Sequence, residues 1–121
     1  MSVATRRQER VGELLQRELA ELIAFEVKDP RLADVSVTRV SVTADLRTAH
    51  VYVSTLDDDP ASHAATLAAL QHAGGYLRRR LGERVVLRYL PDLRFHYDEG
   101  VAASLRIEAL IQQAVGESEQ Q

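Results

Sequence analysis

The 121-residue chain is predicted to form one α+β domain, with helices packed on one face of a three-stranded sheet. Three observations carry this reading. Apolar residues recur at helical spacing near the start, in the middle and near the end. Three other segments alternate apolar and polar residues with period two, as half-buried strands do. The length suffices for one hydrophobic core and no second enzyme-sized domain. Residues 1–115 are read as the domain and residues 116–121 as a short polar tail.

The first helix is expected from about Thr5 to Val27, where Val11, Leu14, Leu15, Leu19, Leu22 and Ile23 share a face and Glu and Arg fill the other. "KDPRLADV" ends it, because Pro30 disfavours helical geometry at Asp29 and lacks a backbone donor. "VSVTRVSVTA" and "TAHVYVST" then read as an antiparallel hairpin joined by "DLR". The apolar phase changes from Val35 and Val37 to Val40, Val42 and Ala44, which predicts a bulge near Arg39.

In "DDDPASHAATLAALQHAGGYLRRRLG", Asp59 suits an N-cap, Pro60 the first helical position, and Leu67, Leu70, Leu77 and Leu81 the inward face. The adjacent Gly74 and Gly75 interrupt this run; each costs about 1 kcal/mol relative to Ala inside a helix, so a kink is expected there. Val85, Leu87, Tyr89, Leu93, Phe95 and Tyr97 keep one parity and read as a long third strand, with Pro91 at an edge or bend. A last helix is expected over Glu99–Val115, with Leu105, Leu110, Ile111 and Val115 at core spacing, before a frayed end from Gly116.

Composition excludes several classes of function. With no Cys, disulfides, thiolate metal sites and thiol nucleophiles are all ruled out. No apolar run reaches the roughly 20 residues of a membrane span and "MSVATRRQERV" lacks the apolar stretch of a signal peptide, so a cytoplasmic protein without a membrane partner is expected. His50, His63, His72 and His96 share no ligand spacing, no Ser stands in a nucleophile-elbow context, and Gly74-Gly75 lacks the lysine of a nucleotide-binding loop. No catalytic residue, no cofactor and no metal is expected. The acids of "LDDDP" read as helix capping in preference to a cation site.

Net charge is −3, which argues against a surface that coats nucleic acid all round. The charge is unevenly spread, however. Between Gly74 and Tyr97, Arg78, Arg79, Arg80, Arg84, Arg88 and Arg94 face only Glu83 and Asp92, a local balance of +4. Arg6, Arg7 and Arg10 form a second basic spot, which could equally pair with Glu9, Glu13 and other acids of the first helix. Three consecutive arginines cannot share a helix face; with Leu77 and Leu81 inward, Arg79 should point outward and Arg78 and Arg80 should flank the core. From the run alone, a solvated face is the simpler reading.

A helix interrupted by glycines in this element order resembles the KH domains, where a Gly-rich loop lets nucleic-acid backbone come close. The four-residue GXXG loop is absent, and "AGG" (Ala73, Gly74, Gly75) stands in its place. In this the chain resembles the bacterial ribosome-binding factor A family, whose KH-like (type II) domain carries an Ala-X-Gly kink. "RQERV", "KDPRL", "DLRTAHVYVS" and "LRYLPDLRFHYD" match that family in order, over roughly residues 6–111. Gly100 stands where the family usually has serine, and Ser104 where it has glycine.

The resemblance implies a non-catalytic, transient partner of the small (30S) ribosomal subunit and its 16S rRNA near the 3' region. It further implies a role in late maturation, precursor rRNA processing and growth in the cold, by a factor that is monomeric when free. Arg78, Arg79, Arg80, Arg84 and Arg88, with Ala73, Gly74 and Gly75, are the candidate RNA-binding residues; Arg6, Arg7, Arg10, Lys28 and Arg31 are secondary. The alternative is a KH-shaped adaptor that binds protein through its first helix or open sheet edge, its arginines serving only solubility.

Overall fold

The computed structural model describes residues 4–100. In chain order these form α1 (Arg6–Phe25), a 3-10 turn (Pro30–Leu32), β1 (Ser36–Val42), β2 (Thr48–Ser54), α2 (Pro60–Arg84) and β3 (Asp92–Tyr97). The helix expected over Glu99–Val115, beyond its start, and the polar tail lie outside the described residues.

Helix α1 begins with a capping box: Thr5 Oγ1 accepts from the Gln8 amide at 3.2 Å, and Gln8 Oε1 accepts from the Thr5 amide at 2.8 Å. The box satisfies donors that a helix start otherwise leaves without partners. Helix α2 begins as expected, with Pro60 following Asp59, whose carboxylate accepts from the Ala61 amide at 3.1 Å.

The sheet runs in the order β1-β2-β3. The first pair is the anticipated antiparallel hairpin, and its register slips between Val37 and Arg39, leaving Thr38 as the extra residue of the bulge. Strands β2 and β3 are parallel, which requires a crossover, and α2 supplies it.

The third strand is shorter than its alternating pattern suggests. Pairing starts at Thr48↔Asp92, because upstream of Thr48 the chain turns through Leu46 at φ 61° and offers no strand. Pro91, fully buried, has no amide to donate. Val85 instead caps α2, donating its amide to Leu81 O at 2.9 Å, and residues 86–91 form a connection.

The core lies on one side of the sheet. Ala49, Val51 and Val53 of β2 are fully buried, as are Leu15, Leu19 and Leu22 of α1 and Leu70, Leu77 and Leu81 of α2. Leu67 and Val11, expected inward, pack partly buried against this cluster. Among the described residues, no helix is long and apolar enough to cross a membrane.

The interruption expected at Gly74 and Gly75 is not a break. Helix α2 runs through both positions, and among the described residues no glycine has positive φ. The energetic cost of the pair is accepted because the flanking leucines hold the helix on the core. A glycine that sequence periodicity did not single out matters more for packing. A Cβ built on Gly12 would lie 2.6 Å from the Val40 carbonyl oxygen, so α1 crosses β1 where only a bare Cα fits.

We therefore expect Gly12→Ala to destabilise the domain by about 1–3 kcal/mol, the usual range for overpacking, with a lower urea midpoint at unchanged slope.

Candidate nucleic-acid interface

The arginines of α2 divide between interior and surface roles. Arg80 turns toward α1: its Nε and Nη2 each donate to the Glu26 carboxylate at 2.8 Å, and its Nη1 pairs with Glu83. Arg84 continues the clasp, donating from Nε to Glu18 at 2.6 Å and pairing also with Glu21. The bidentate Arg80–Glu26 pair fixes geometry as well as charge. The Arg80 hydrogen bonds, partly opposed by desolvation, lower the Glu26 carboxyl from 4.5 to about 2. The pKa values of Arg80 and Arg84 are raised by the same contacts.

Arg78 leans the other way. Its Nε and Nη2 donate to the carbonyls of Pro91 and Leu90 at 3.2 and 2.9 Å, tying α2 to the connection before β3. Its Nε also lies 3.6 Å from Asp92. Arg79 is exposed, 5.7 Å from the Tyr76 ring centroid, with no carboxylate in ion-pair reach among the described residues. The expectation that Arg79 points outward while Arg78 and Arg80 flank the core matches these positions.

Gly74 and Gly75 lie one helical turn before Arg78 and Arg79. A Cβ at Gly74 would rest against Phe95 at 3.8 Å, whereas one at Gly75 would meet nothing within 4 Å. Gly75 is therefore a bare patch of helix backbone open to solvent, while Ala73 packs partly buried against the core.

A second basic group assembles around Tyr89, which is 48% exposed. The guanidinium carbons of Arg88 and Arg47 each stand 5.2 Å from its ring centroid, within cation–π range. Arg47 comes from the β1–β2 turn, and sequence reading passed over it and Tyr89 because neither belongs to a charge run. The hydrogen bond from the Asp92 amide to Arg47 O at 2.8 Å is what brings the two segments together.

Arg6, Arg7 and Arg10 are exposed on the first turns of α1, and among the described residues none pairs with Glu9 or Glu13. Lys28 is exposed. Arg31 is held by Asp29, through Nε at 3.1 Å and Nη2 at 2.8 Å, a pairing that lowers the Asp29 carboxyl pKa. The acids after Leu56 act locally: Asp59 caps α2, and Asp57 accepts from the Ser62 hydroxyl at 2.8 Å. Among the described residues, no group of three potential ligands could hold a metal ion.

The outer face of the sheet joins two histidines that lie far apart in sequence. His50 Nδ1 and His96 Nε2 are 2.9 Å apart, and His96 stacks on Tyr52, whose ring lies beneath Arg39 with its guanidinium carbon at 4.0 Å. The parities of β2 and β3 contain this signal, but the register Tyr52↔His96 is needed to read it. Burial, and then the neighbouring His50, lowers the His96 pKa, favouring the neutral ring. His63 of α2 stacks on Tyr97 with centroids 3.7 Å apart.

Helices on one face of a mixed three-stranded sheet, in this order, define a KH-like α+β domain, here bearing arginines on α2 and on the connection to β3. The family model described as Ribosome-binding factor A matches residues 7–111, and the chain belongs to that family. The Ribosome-binding factor A of Marinomonas sp. (strain MWYL1) is 50% identical over 115 residues, covering 93% of this chain and 89% of that one. The Chromohalobacter salexigens protein of the same description is 45% identical over 113 residues, covering 93% and 86%. The fold is similar to the crystal structure of ribosome-binding factor A from Thermus thermophilus, with TM-score 0.66, 32% identity, and 74% and 94% of the two chains covered. A Thermus thermophilus ribosome binding factor A homology model fitted into a cryo-EM map of a 30S complex matches with TM-score 0.59 and 34% identity, covering 70% of this chain and 88% of that one.

The division of the arginines gives a test. Arg80→Glu would set a third carboxylate against Glu26 and Glu83, so thermal stability should fall, whereas Arg79→Glu should leave it unchanged. Because the Glu26 pKa is lowered in the folded chain, its contribution is complete above the ordinary value of 4.5 and disappears as pH falls toward about 2. Between those limits the wild type should lose stability more steeply than Glu26→Gln.

Proposed function

We propose that this protein is a non-catalytic, cytoplasmic assembly factor that binds the small (30S) ribosomal subunit and its 16S rRNA near the 3' region. In this reading it acts as a free monomer during late maturation and precursor rRNA processing and supports growth in the cold. Membership of the ribosome-binding factor A family over residues 7–111 is the observation that carries the reading. The fitted 30S complex of a relative agrees with it.

The surface chemistry adds a mechanism. Arg79 and Arg88 have no carboxylate in ion-pair reach among the described residues, and Gly75 leaves backbone uncovered beside Arg79. Guanidinium groups pair with phosphate in a fixed fork, so recognition here is led by backbone and shape. Arg80 and Arg84 serve the fold, which removes part of the charge that the sequence offered for RNA. That loss favours the adaptor alternative, in which α1 or the sheet edge docks on protein.

Sedimentation of cell extract tests the reading: the protein should travel with free small subunits. If about four to six phosphates are engaged, affinity should fall with salt at a log–log slope on the order of −3 to −5. Arg79→Glu with Arg88→Glu should release the folded protein from the subunit, and unchanged co-sedimentation would point to the adaptor. Gly75→Ala should hold or raise thermal stability by up to about 1 kcal/mol. Since its methyl meets nothing in the free chain, any loss of subunit binding would report contact at that spot.

A further inference from the structure

A cleft of about 450 Å³ opens between the first turns of α1, the β1–β2 turn and the connection after α2. Arg88 and Tyr89 belong to its lining and Arg78 does not. Its volume falls within the roughly 300–1,000 Å³ of small-molecule sites. Three kinds of surface meet there. Val11 and Leu46 supply an apolar floor, and Val86 is 100% exposed at the rim. Tyr89 presents a half-exposed ring with the Arg47 and Arg88 guanidinium carbons each 5.2 Å from its centroid. Arg7 of α1 and Arg88 of the connection after α2 bring positive charge, with no carboxylate in ion-pair reach among the described residues.

Asp45, the single acid lining the cleft among the described residues, narrows the ligand. Its Oδ1 accepts from the Thr43 hydroxyl at 2.7 Å and from the Arg47 amide at 3.1 Å, and these bonds lower its carboxyl pKa, Thr43 contributing most. The carboxylate is thus ionised and fixed in direction, and Oδ2 has no hydrogen-bond partner among the described residues. A phosphate alone would be repelled by it. A base carrying an exocyclic amino group would donate to it, as cytosine N4 does to acidic side chains. The turn that aims Asp45 is itself unusual, for Leu46 occupies φ 61°, a region that branched, bulky side chains rarely adopt. Its amide donates to Thr43 O at 2.8 Å, which holds the turn closed. An uncommon backbone state kept beside an open cleft is the kind of feature that marks a binding site.

We propose that this cleft receives a single unstacked nucleotide of RNA, its base lying on Tyr89 with the amino edge on Asp45 and its flanking phosphates on Arg7 and Arg88. The proposal rests on the RNA-binding reading above and adds a site and a base preference to it. An acidic peptide would satisfy the arginines but would leave both Tyr89 and Asp45 without a purpose.

The test titrates the full chain with hexacytidylate and hexauridylate RNA, following backbone amides by NMR and affinity by anisotropy of end-labelled oligomers. Hexacytidylate should shift the amides of Arg7, Leu46, Val86, Arg88 and Tyr89 and should bind several-fold tighter than hexauridylate. Tyr89→Ala should weaken binding by about tenfold or more, in line with the loss of one base–aromatic stack, and Tyr89→Phe should retain it. Asp45→Asn should abolish the preference for cytosine. Shifts confined to other surfaces, or Tyr89→Ala and Asp45→Asn variants that bind as the wild type does, would overturn the pocket. Co-sedimentation of the wild type with small subunits separates the two claims. If it binds subunits while the cleft variants bind hexacytidylate normally, only the pocket is wrong; if it fails to bind subunits, the broader reading is wrong.

Discussion

Strand β2 turns Ala49, Val51 and Val53 to one side, and each is completely buried. The remaining structure is arranged to keep that row dry. Helix α1 covers the β1 side with Leu15, Leu19 and Leu22, and α2 covers the β3 side with Leu70, Leu77 and Leu81. Because β2 is the central strand, a register slip of one residue would send His50 and Tyr52 into the core and the valines into water. This penalty explains why a chain with little aromatic bulk still settles on one arrangement. The close crossing of α1 over β1 at Gly12 follows from the same demand, since a larger residue would lift the helix away from the row it shields.

Charge is distributed to suit that architecture. The two helices meet along a seam where Arg80 and Arg84 reach Glu26, Glu18 and Glu21 across more than fifty positions of sequence. Partly shielded pairs of this sort orient the helices and lose strength as salt or acid intervenes. Arg78 performs a comparable task with neutral acceptors, holding the connection before β3 to α2. Among the described residues, cations without a carboxylate partner include Arg79 beside Gly75 and Arg88 at Tyr89, together with Arg6, Arg7 and Arg10 on the first turns of α1. A net charge of −3 is therefore compatible with a local surface that is positive.

The outer face of the sheet shows what happens when a strand face is left free of the core. Arg39, Tyr52, His96 and His50 line up across the strands through one cation–π contact, one stack and one hydrogen bond. Cross-strand neighbours of this kind stabilise a sheet from its polar side. The shared hydrogen bond between the imidazoles requires one ring to donate and the other to accept, so protonating both would break it. This agrees with the lowered pKa of His96.

Periodicity by itself determined the α+β class, the two described helices, the hairpin, the bulge beside Arg39 and the Asp59-Pro60 start of α2, because each is set by local backbone preference and the phase of apolar residues. Family membership was also legible, in the ordered matches from "RQERV" to "LRYLPDLRFHYD". Only the tertiary structure decided three matters. The alternation from Val85 to Tyr97 became a strand only from Asp92, since strand formation needs a partner and β2 begins at Thr48. Gly74 and Gly75 stayed helical because burial of the surrounding leucines outweighs the propensity they forfeit. And Arg78, Arg79, Arg80, Arg84 and Arg88 took different roles according to which acceptors the fold placed opposite them, a long-range fact that no local pattern contains.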